Sequence, residues 1–259
     1  MSLQDLFDLS GRSAIVTGGG AGLGRQLAEG LAEAGASLVL CARNAERCRE
    51  AASELGRQHG VKAVGVACDV RDPDAIRSVV DLAKRELGSI DILVSNAGTS
   101  WGAPAVDYPL EGWRKVIDVN LTGVFLFAQS AGRAMIEQGD GGKIVNIASV
   151  AAFRGAPSEL MDAVAYNASK GGVVSLTRDL AAKWARFGIN VNAIAPGWFP
   201  TEMSELLLER HGDLFLERIP LRRFGGPEDL KGAIVFLASP ASDFVTGQTL
   251  LVDGGMSIA

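Results

Sequence analysis

The sequence of 259 residues predicts an α/β fold, a doubly wound parallel sheet of seven strands with helices on both faces. Two observations predict it. Short apolar runs alternate with longer amphipathic stretches along the whole chain, and those runs are largely continuous, as in strands covered on both faces. Alternating strands and helices then require right-handed parallel crossovers. The strands are expected at Ser13–Thr17, Ser37–Cys41, Val61–Cys68, Ile90–Ser95, Lys143–Ala148, Asn190–Ala195 and Thr249–Val252. Helical stretches lie at Gly22–Ala34, Ala45–Gln58, Pro73–Leu87, Leu110–Gln138, Ala165–Phe187 and Pro227–Ala238. No linker, low-complexity tract or repeat beyond the βα unit divides residues 1–259, which read as a single domain. Residues 196–220 form a long excursion before the last helix and read as a lid.

Composition narrows the function. The hydrophobic fraction is 47% and the charged fraction 21%, which excludes disordered and fibrous classes. A net charge of −5 argues against nucleic acid or an anionic membrane as partner. No apolar run approaches the roughly 18 residues of a membrane span, and no basic-then-apolar leader opens the chain, so a cytoplasmic enzyme is expected. Cys41, Cys48 and Cys68 follow no CxxC spacing and read as small buried residues. His59 and His211 both sit in polar stretches before a glycine and read as solvated helix ends. A Ser-His-Asp hydrolase and a metal site are therefore not expected.

The first strand runs into Thr17-Gly18-Gly19-Gly20-Ala21-Gly22-Leu23-Gly24 and then a helix. Glycines let such a turn take positive φ and let backbone approach a pyrophosphate, while the helix N-terminus offers free N–H groups to the anion. A Rossmann-like dinucleotide site follows. After the second strand, the place where an NAD site needs a carboxylate holds Ala42, followed by Arg43, which suits a 2′-phosphate. NADP(H) is expected, with NAD(H) as the alternative. Asp69, followed by Val70 at the third strand's end, either accepts from the adenine amino group or caps the next helix.

Tyr166 and Lys170 stand four apart in a helical stretch and share a face. A tyrosine working near pH 7 needs its pKa lowered by about three units, roughly 4 kcal/mol, and an ammonium one turn away supplies part of that. Ser149 ends the fifth strand, where parallel sheets place ligands, and its hydroxyl suits a substrate carbonyl. Asn120 lies inside the Leu110–Gln138 stretch, where an amide disfavours helix continuity, so a kink holding water is expected.

These motifs together resemble the short-chain dehydrogenase/reductase family over about Leu6 to Gly255. The resemblance rests on TGGGAGLG (Thr17–Gly24), Asn96-Ala97-Gly98, Asn120, Ser149, YNASK (Tyr166–Lys170) and Pro196-Gly197 followed by Thr201. It implies Tyr166 as general acid/base, Ser149 polarising the carbonyl, Lys170 tuning the tyrosine and holding the nicotinamide ribose, and Asn120 anchoring a relay water. It further implies cofactor contacts at Thr17, Gly18, Gly20, Gly22, Leu23, Gly24, Arg43, Asp69, Val70, Asn96, Ala97, Gly98, Pro196, Gly197, Phe199 and Thr201, and a homotetramer. Ser95 departs from the family's usual asparagine. Ser149 and Tyr166 stand seventeen apart, so Gly155–Ala163 carries an insertion facing the substrate.

For the substrate the halves disagree. Asn96–Gly102 and Cys41–Cys48 resemble NADPH-dependent 3-oxoacyl reductases, whereas Ile194–Met203 and Ala241–Met256 resemble gluconate 5-dehydrogenases equally. Trp101, Phe153, Arg154, Trp198, Phe199 and Leu206-Leu207-Leu208 are the candidate cleft lining. Large apolar side chains favour an acyl substrate, and Arg154 alone offers a cation to a sugar acid. A 3-oxoacyl thioester reductase is therefore expected first and a sugar-acid or polyol dehydrogenase second. A silent NADP-binding module is disfavoured by the intact catalytic set.

Overall fold

The computed structural model describes residues 2–158 and 160–259. Seven strands, β1 (Ser13–Thr17), β2 (Ser37–Ala42), β3 (Ala63–Ala67), β4 (Ile92–Ser95), β5 (Gly142–Ile147), β6 (Ile189–Pro196) and β7 (Thr249–Val252), form one sheet in the order β3-β2-β1-β4-β5-β6-β7. Every pairing is parallel, and central Val16 of β1 stands opposite Leu40 of β2 and Val94 of β4. Alternate residues of each strand face opposite layers. Ala14, Val16, Leu38 and Leu40 enter one core with Leu27, Leu31 and Ile234; Ile15, Val39, Leu93 and Ile144 enter the other with Ile76, Phe127 and Met135. Both faces are covered, which is why the strands read as continuous apolar runs. The chain reverses direction between β3 and β4, so a crevice opens beyond the carboxyl ends of β1 and β4.

The helices are α1 (Leu3–Phe7), α2 (Gly22–Glu33), α3 (Ala45–His59), α4 (Pro73–Leu87), α5 (Leu110–Ile117), α6 (Gly123–Gln138), α7 (Val164–Trp184), α8 (Glu205–Glu217) and α9 (Lys231–Ala238). Asn44 caps α3 by accepting from the Arg47 N–H at 3.1 Å, and Gly60 closes it in the left-handed conformation. Asp72, not Asp69, caps α4, with Pro73 in its first turn.

Three expectations are corrected by packing. The Leu110–Gln138 stretch is not one helix: residues Asp118–Thr122 form a π turn between α5 and α6, with Asn120 at its centre. Residues 227–230 are turns, so α9 starts later than periodicity suggests. His211 lies within α8, edge-on to Phe215 at 6.2 Å, rather than at a helix end. No helix among the described residues is long and apolar enough to cross a membrane.

Arg222 is the only non-glycine described with positive φ, at 54°. An L-residue there costs about 1–2 kcal/mol that glycine avoids, partly offset by glycine's freer unfolded chain. Arg222→Gly is therefore expected to raise Tm slightly and Arg222→Val to lower it by several degrees, as read by thermal denaturation; equal Tm for both variants would refute the strain.

Candidate active site

The phosphate loop between β1 and α2 is held by its own polar groups. Thr17 Oγ1 accepts from the N–H groups of Asn96 and Ala97, each at 2.9 Å, and Asn96 Nδ2 donates to the Thr17 carbonyl at 3.0 Å. Thr17 and Asn96 thus tie the end of β4 to the loop, and Asn96 also lines the groove beyond it. Gly18 takes φ 67°, and a Cβ on Gly24 would stand 2.2 Å from the Gly18 carbonyl, so α2 can start close against the loop only with glycine there. The groove beyond is lined by Gly18, Gly22, Leu23, Ala97, Gly98 and Pro196, among others, and the free N–H end of α2 faces it. This bare backbone cradle fits a dinucleotide's pyrophosphate.

At the adenosine end, Arg43 is exposed just beyond β2 and its charge contributes to holding Asp69 ionised. Asp69 is pushed down to about 2, first by hydrogen bonds from the Arg71 side chain (Nε to Oδ1, 3.0 Å). Its carboxylate is therefore committed largely to Arg71, and Val70 is buried against Gly123. Phe199 is 5% exposed, its ring against Gly225, and it borders the substrate end rather than the nucleotide groove.

The reacting groups converge where β5 ends and α7 begins. Ser149 follows β5, its Oγ accepting from the Ala151 N–H at 3.2 Å, and it lines the same cleft as Tyr166, near the start of α7. Lys170, one turn on, is 4% exposed and donates from Nζ to the Ile147 carbonyl at 2.6 Å, with Nζ 5.6 Å from the Tyr166 ring centre. Burial raises the tyrosine pKa, and the neighbouring Ser149 hydroxyl opposes the rise. Burial likewise lowers Lys170 to about 8. Burial, not the lysine, dominates the phenol in the chain alone.

Asn120, fully buried, clamps the loop after β4. Its Oδ1 accepts from the Thr99 N–H at 2.8 Å, and its Nδ2 donates to the Thr99 carbonyl (2.9 Å) and to Ser169 Oγ (3.1 Å). Both Nδ2 hydrogens are used and Oδ1 accepts one bond, so a water at this residue would meet the second lone pair of Oδ1 or the backbone that the π turn releases from helical bonding.

The cleft beside Ser149 and Tyr166 is lined by Arg154, Met161, Trp198, Leu207, Arg218 and Met256, among others. Trp101 is not part of it; its ring packs on Gly112 and under Lys115, 5.0 Å away. Phe153 is 43% and Leu206 66% exposed, so of the leucine run Leu207 alone reaches the cleft. The insertion supplies Gly155, Ala156, Leu160 and Met161 to the wall. Sequence reasoning missed Arg218, whose only signal was a basic residue ending the lid helix. Among the described residues neither Arg154 nor Arg218 pairs with a carboxylate.

Residues 18–257 match the family model of enoyl-(acyl carrier protein) reductases. A short-chain type dehydrogenase/reductase from Mycobacterium marinum superposes with a TM-score of 0.95 at 41% identity, covering 100% of both chains. The chain belongs to the short-chain dehydrogenase/reductase family. Like other members of that family it is an oxidoreductase acting on CH–OH groups. Gluconate 5-dehydrogenase of Gluconobacter oxydans is 43% identical over 261 residues, 100% of both sequences. A gluconate 5-dehydrogenase from Burkholderia cenocepacia, solved in complex with NADP and tartrate, is 43% identical over 100% of both chains with a TM-score of 0.93. These relatives back the sugar-acid alternative better than the 3-oxoacyl reading expected first.

The buried ammonium has a stability consequence. Below pH 8 Lys170 is charged both folded and unfolded, and the folded chain carries the full desolvation cost. Between about 8 and the unfolded value near 10.4 the unfolded chain binds more protons, so this cost falls as pH rises. Lys170→Met is expected to raise Tm at pH 7 while abolishing turnover, with the Tm gain shrinking toward pH 10. A lowered Tm at pH 7 would show that the ammonium stabilises the fold instead.

Proposed function

We propose that this enzyme interconverts a keto-sugar acid and its secondary alcohol with NADP(H). The carrying observation is the pair of arginines, Arg154 and Arg218, lining the cleft that also holds Ser149 and Tyr166. A ketone on a carbon chain ending in a carboxylate suits a cleft with hydroxyl donors at one end and cations at the other. Arg218 removes the objection that one cation is too few.

In this reading Gly18, Gly20, Gly22, Leu23 and Gly24 cradle the pyrophosphate, and Arg43 holds the 2′-phosphate where Ala42 leaves no competing carboxylate. Gly98, Pro196, Gly197 and Thr201 would flank the nicotinamide half, and Lys170 would hold the ribose. Bound there, the nicotinamide would supply or receive the hydride. Ser149 orients and polarises the carbonyl oxygen, and Tyr166 gives that oxygen its proton on reduction or takes it on oxidation. Asn120 keeps the loop carrying Thr99 in place beside Ser169. Residues 196–220 act as a lid that excludes water, which strengthens the hydrogen bonds at the carbonyl. The chain acts as one domain and, in the cytoplasm, as a homotetramer; Phe244, wholly exposed, and Leu250 on β7 suit a subunit contact.

A second reading, reduction of a 3-oxoacyl thioester, is favoured by the apolar wall of Met161, Trp198, Leu207 and Met256. Steady-state assays of the purified protein with NADPH separate the two. 5-Ketogluconate is expected to exceed acetoacetyl-CoA in kcat/KM by at least tenfold, and the reverse order rejects the sugar-acid reading. Tyr166→Phe is expected to abolish turnover with NADPH binding retained; a tenth of wild-type rate would reject its role. Arg43→Ala should weaken NADPH about ten- to a hundredfold, as lost charge-assisted bonds do, and NADH far less. Wild-type efficiency with NADH equal to that with NADPH would overturn the cofactor assignment.

A further inference from the structure

The chain end after β7 forms a turn that reaches into the substrate cleft. The Asp253 carboxylate accepts from the Gly255 N–H at 2.9 Å and from the Ser257 N–H at 2.8 Å. Between these bonds Gly254 and Gly255 both take positive φ, 64° and 89°. The turn rests on the end of the lid: the Leu221 N–H donates to the Gly254 carbonyl at 3.1 Å, and the two glycines lie against Ile219 and Pro220. A Cβ on Gly254 would stand 2.8 Å from Ile219, so the contact is specific to this backbone.

From this turn the Met256 carbonyl accepts Nη1 of Arg154 at 2.6 Å. The Arg154 backbone is tied in turn to α7, where Asn167, next to Tyr166, brings Nδ2 to 3.5 Å from the Arg154 carbonyl. Arg154 and Met256 both line the cleft, and Met256 is itself buried with Val150 and Ile219. A carbonyl acceptor orients a guanidinium without neutralising it, whereas a carboxylate in the same place would quench its charge. The remaining N–H donors are left pre-aimed, and the rotamer entropy of a long side chain is lost before substrate arrives.

We propose that the C-terminal turn, Asp253–Met256, is a specificity device: it positions Arg154, through the Met256 carbonyl, to take the carboxylate end of the substrate. The proposal rests on the keto-acid reading above. Asp253 is a positioning residue, and its influence on substrate choice passes through Arg154.

The test compares 5-ketogluconate with fructose, a ketose without a carboxylate, in wild type, Arg154→Met, Asp253→Ala and the double variant. Asp253→Ala is expected to raise KM for 5-ketogluconate about tenfold with a much smaller change in kcat, and to lower the 5-ketogluconate-to-fructose ratio of kcat/KM. In the Arg154→Met background it should add less than twofold, because the residue it positions is already gone. A chain ending at Gly255, which lacks the Met256 acceptor, should reproduce the pattern. Equal losses on both substrates, or multiplicative effects in the double variant, would overturn the proposal while leaving the keto-acid reading intact. If the variants fail to fold, Arg154→Lys on the intact tail serves: a lysine lacks the fork that one carbonyl can aim, so retention of full 5-ketogluconate preference also overturns it. A wild type inert toward 5-ketogluconate rejects the substrate assignment and this device with it.

Discussion

Lys170 carries an ammonium at 4% exposure with the Ile147 carbonyl as its hydrogen-bond acceptor among the described residues. The ammonium links α7 to the end of β5, while the buried face of α7, with Val173, Val174, Thr177 and Leu180, sets which side of the helix looks into the crevice. Tyr166, one turn earlier, must then stand over the end of β5, where Ser149 meets it. The cost of burying the charge is borne by the double-sided core of the sheet. Val16, Val94, Val145 and Ile194 enter one layer and Ile15, Leu93, Ile144 and Val191 the other, so the carboxyl ends of β1, β4, β5 and β6 cannot shift relative to one another.

Around this frame the polar side chains divide into those that hold the frame and those free to meet ligands. Thr17, Asn96 and Asn120 spend their hydrogen-bonding groups on backbone and on Ser169, which makes them structural ties within a functional site. Asp69 is largely committed to Arg71 in the same way. Arg43, Arg154 and Arg218 have no carboxylate partner among the described residues. Arg154 and Arg218 line the substrate end of the crevice, which suits an anionic substrate, and Arg43 stands exposed just beyond β2.

Local motifs were legible because each rests on chemistry confined to a few adjacent residues. The glycines of Thr17–Gly24 announce a backbone turn, and Tyr166 with Lys170 announce a shared helix face. The lining of the cleft was not legible. Trp101, Phe153 and Leu206 look suitable by size, yet Trp101 packs on α5 and the other two face solvent. Arg218 is separated from Arg154 by 64 positions, and nothing in its neighbours marks it.

The sequence by itself determined the order of strands and helices, the parallel sheet and the chemistry-bearing groups, since period, turn residues and side-chain type act over one or two turns of chain. Tertiary structure alone decided the π turn at Asn120, the cap at Asp72, the commitment of Asp69 to Arg71 and the C-terminal turn that holds Arg154. Each of these depends on which segments meet after the sheet closes, as when Met256 reaches a guanidinium 102 residues away. Burial is the physical reason, because it is the packed neighbours that choose the partner of a buried polar group, and sequence spacing carries no record of them.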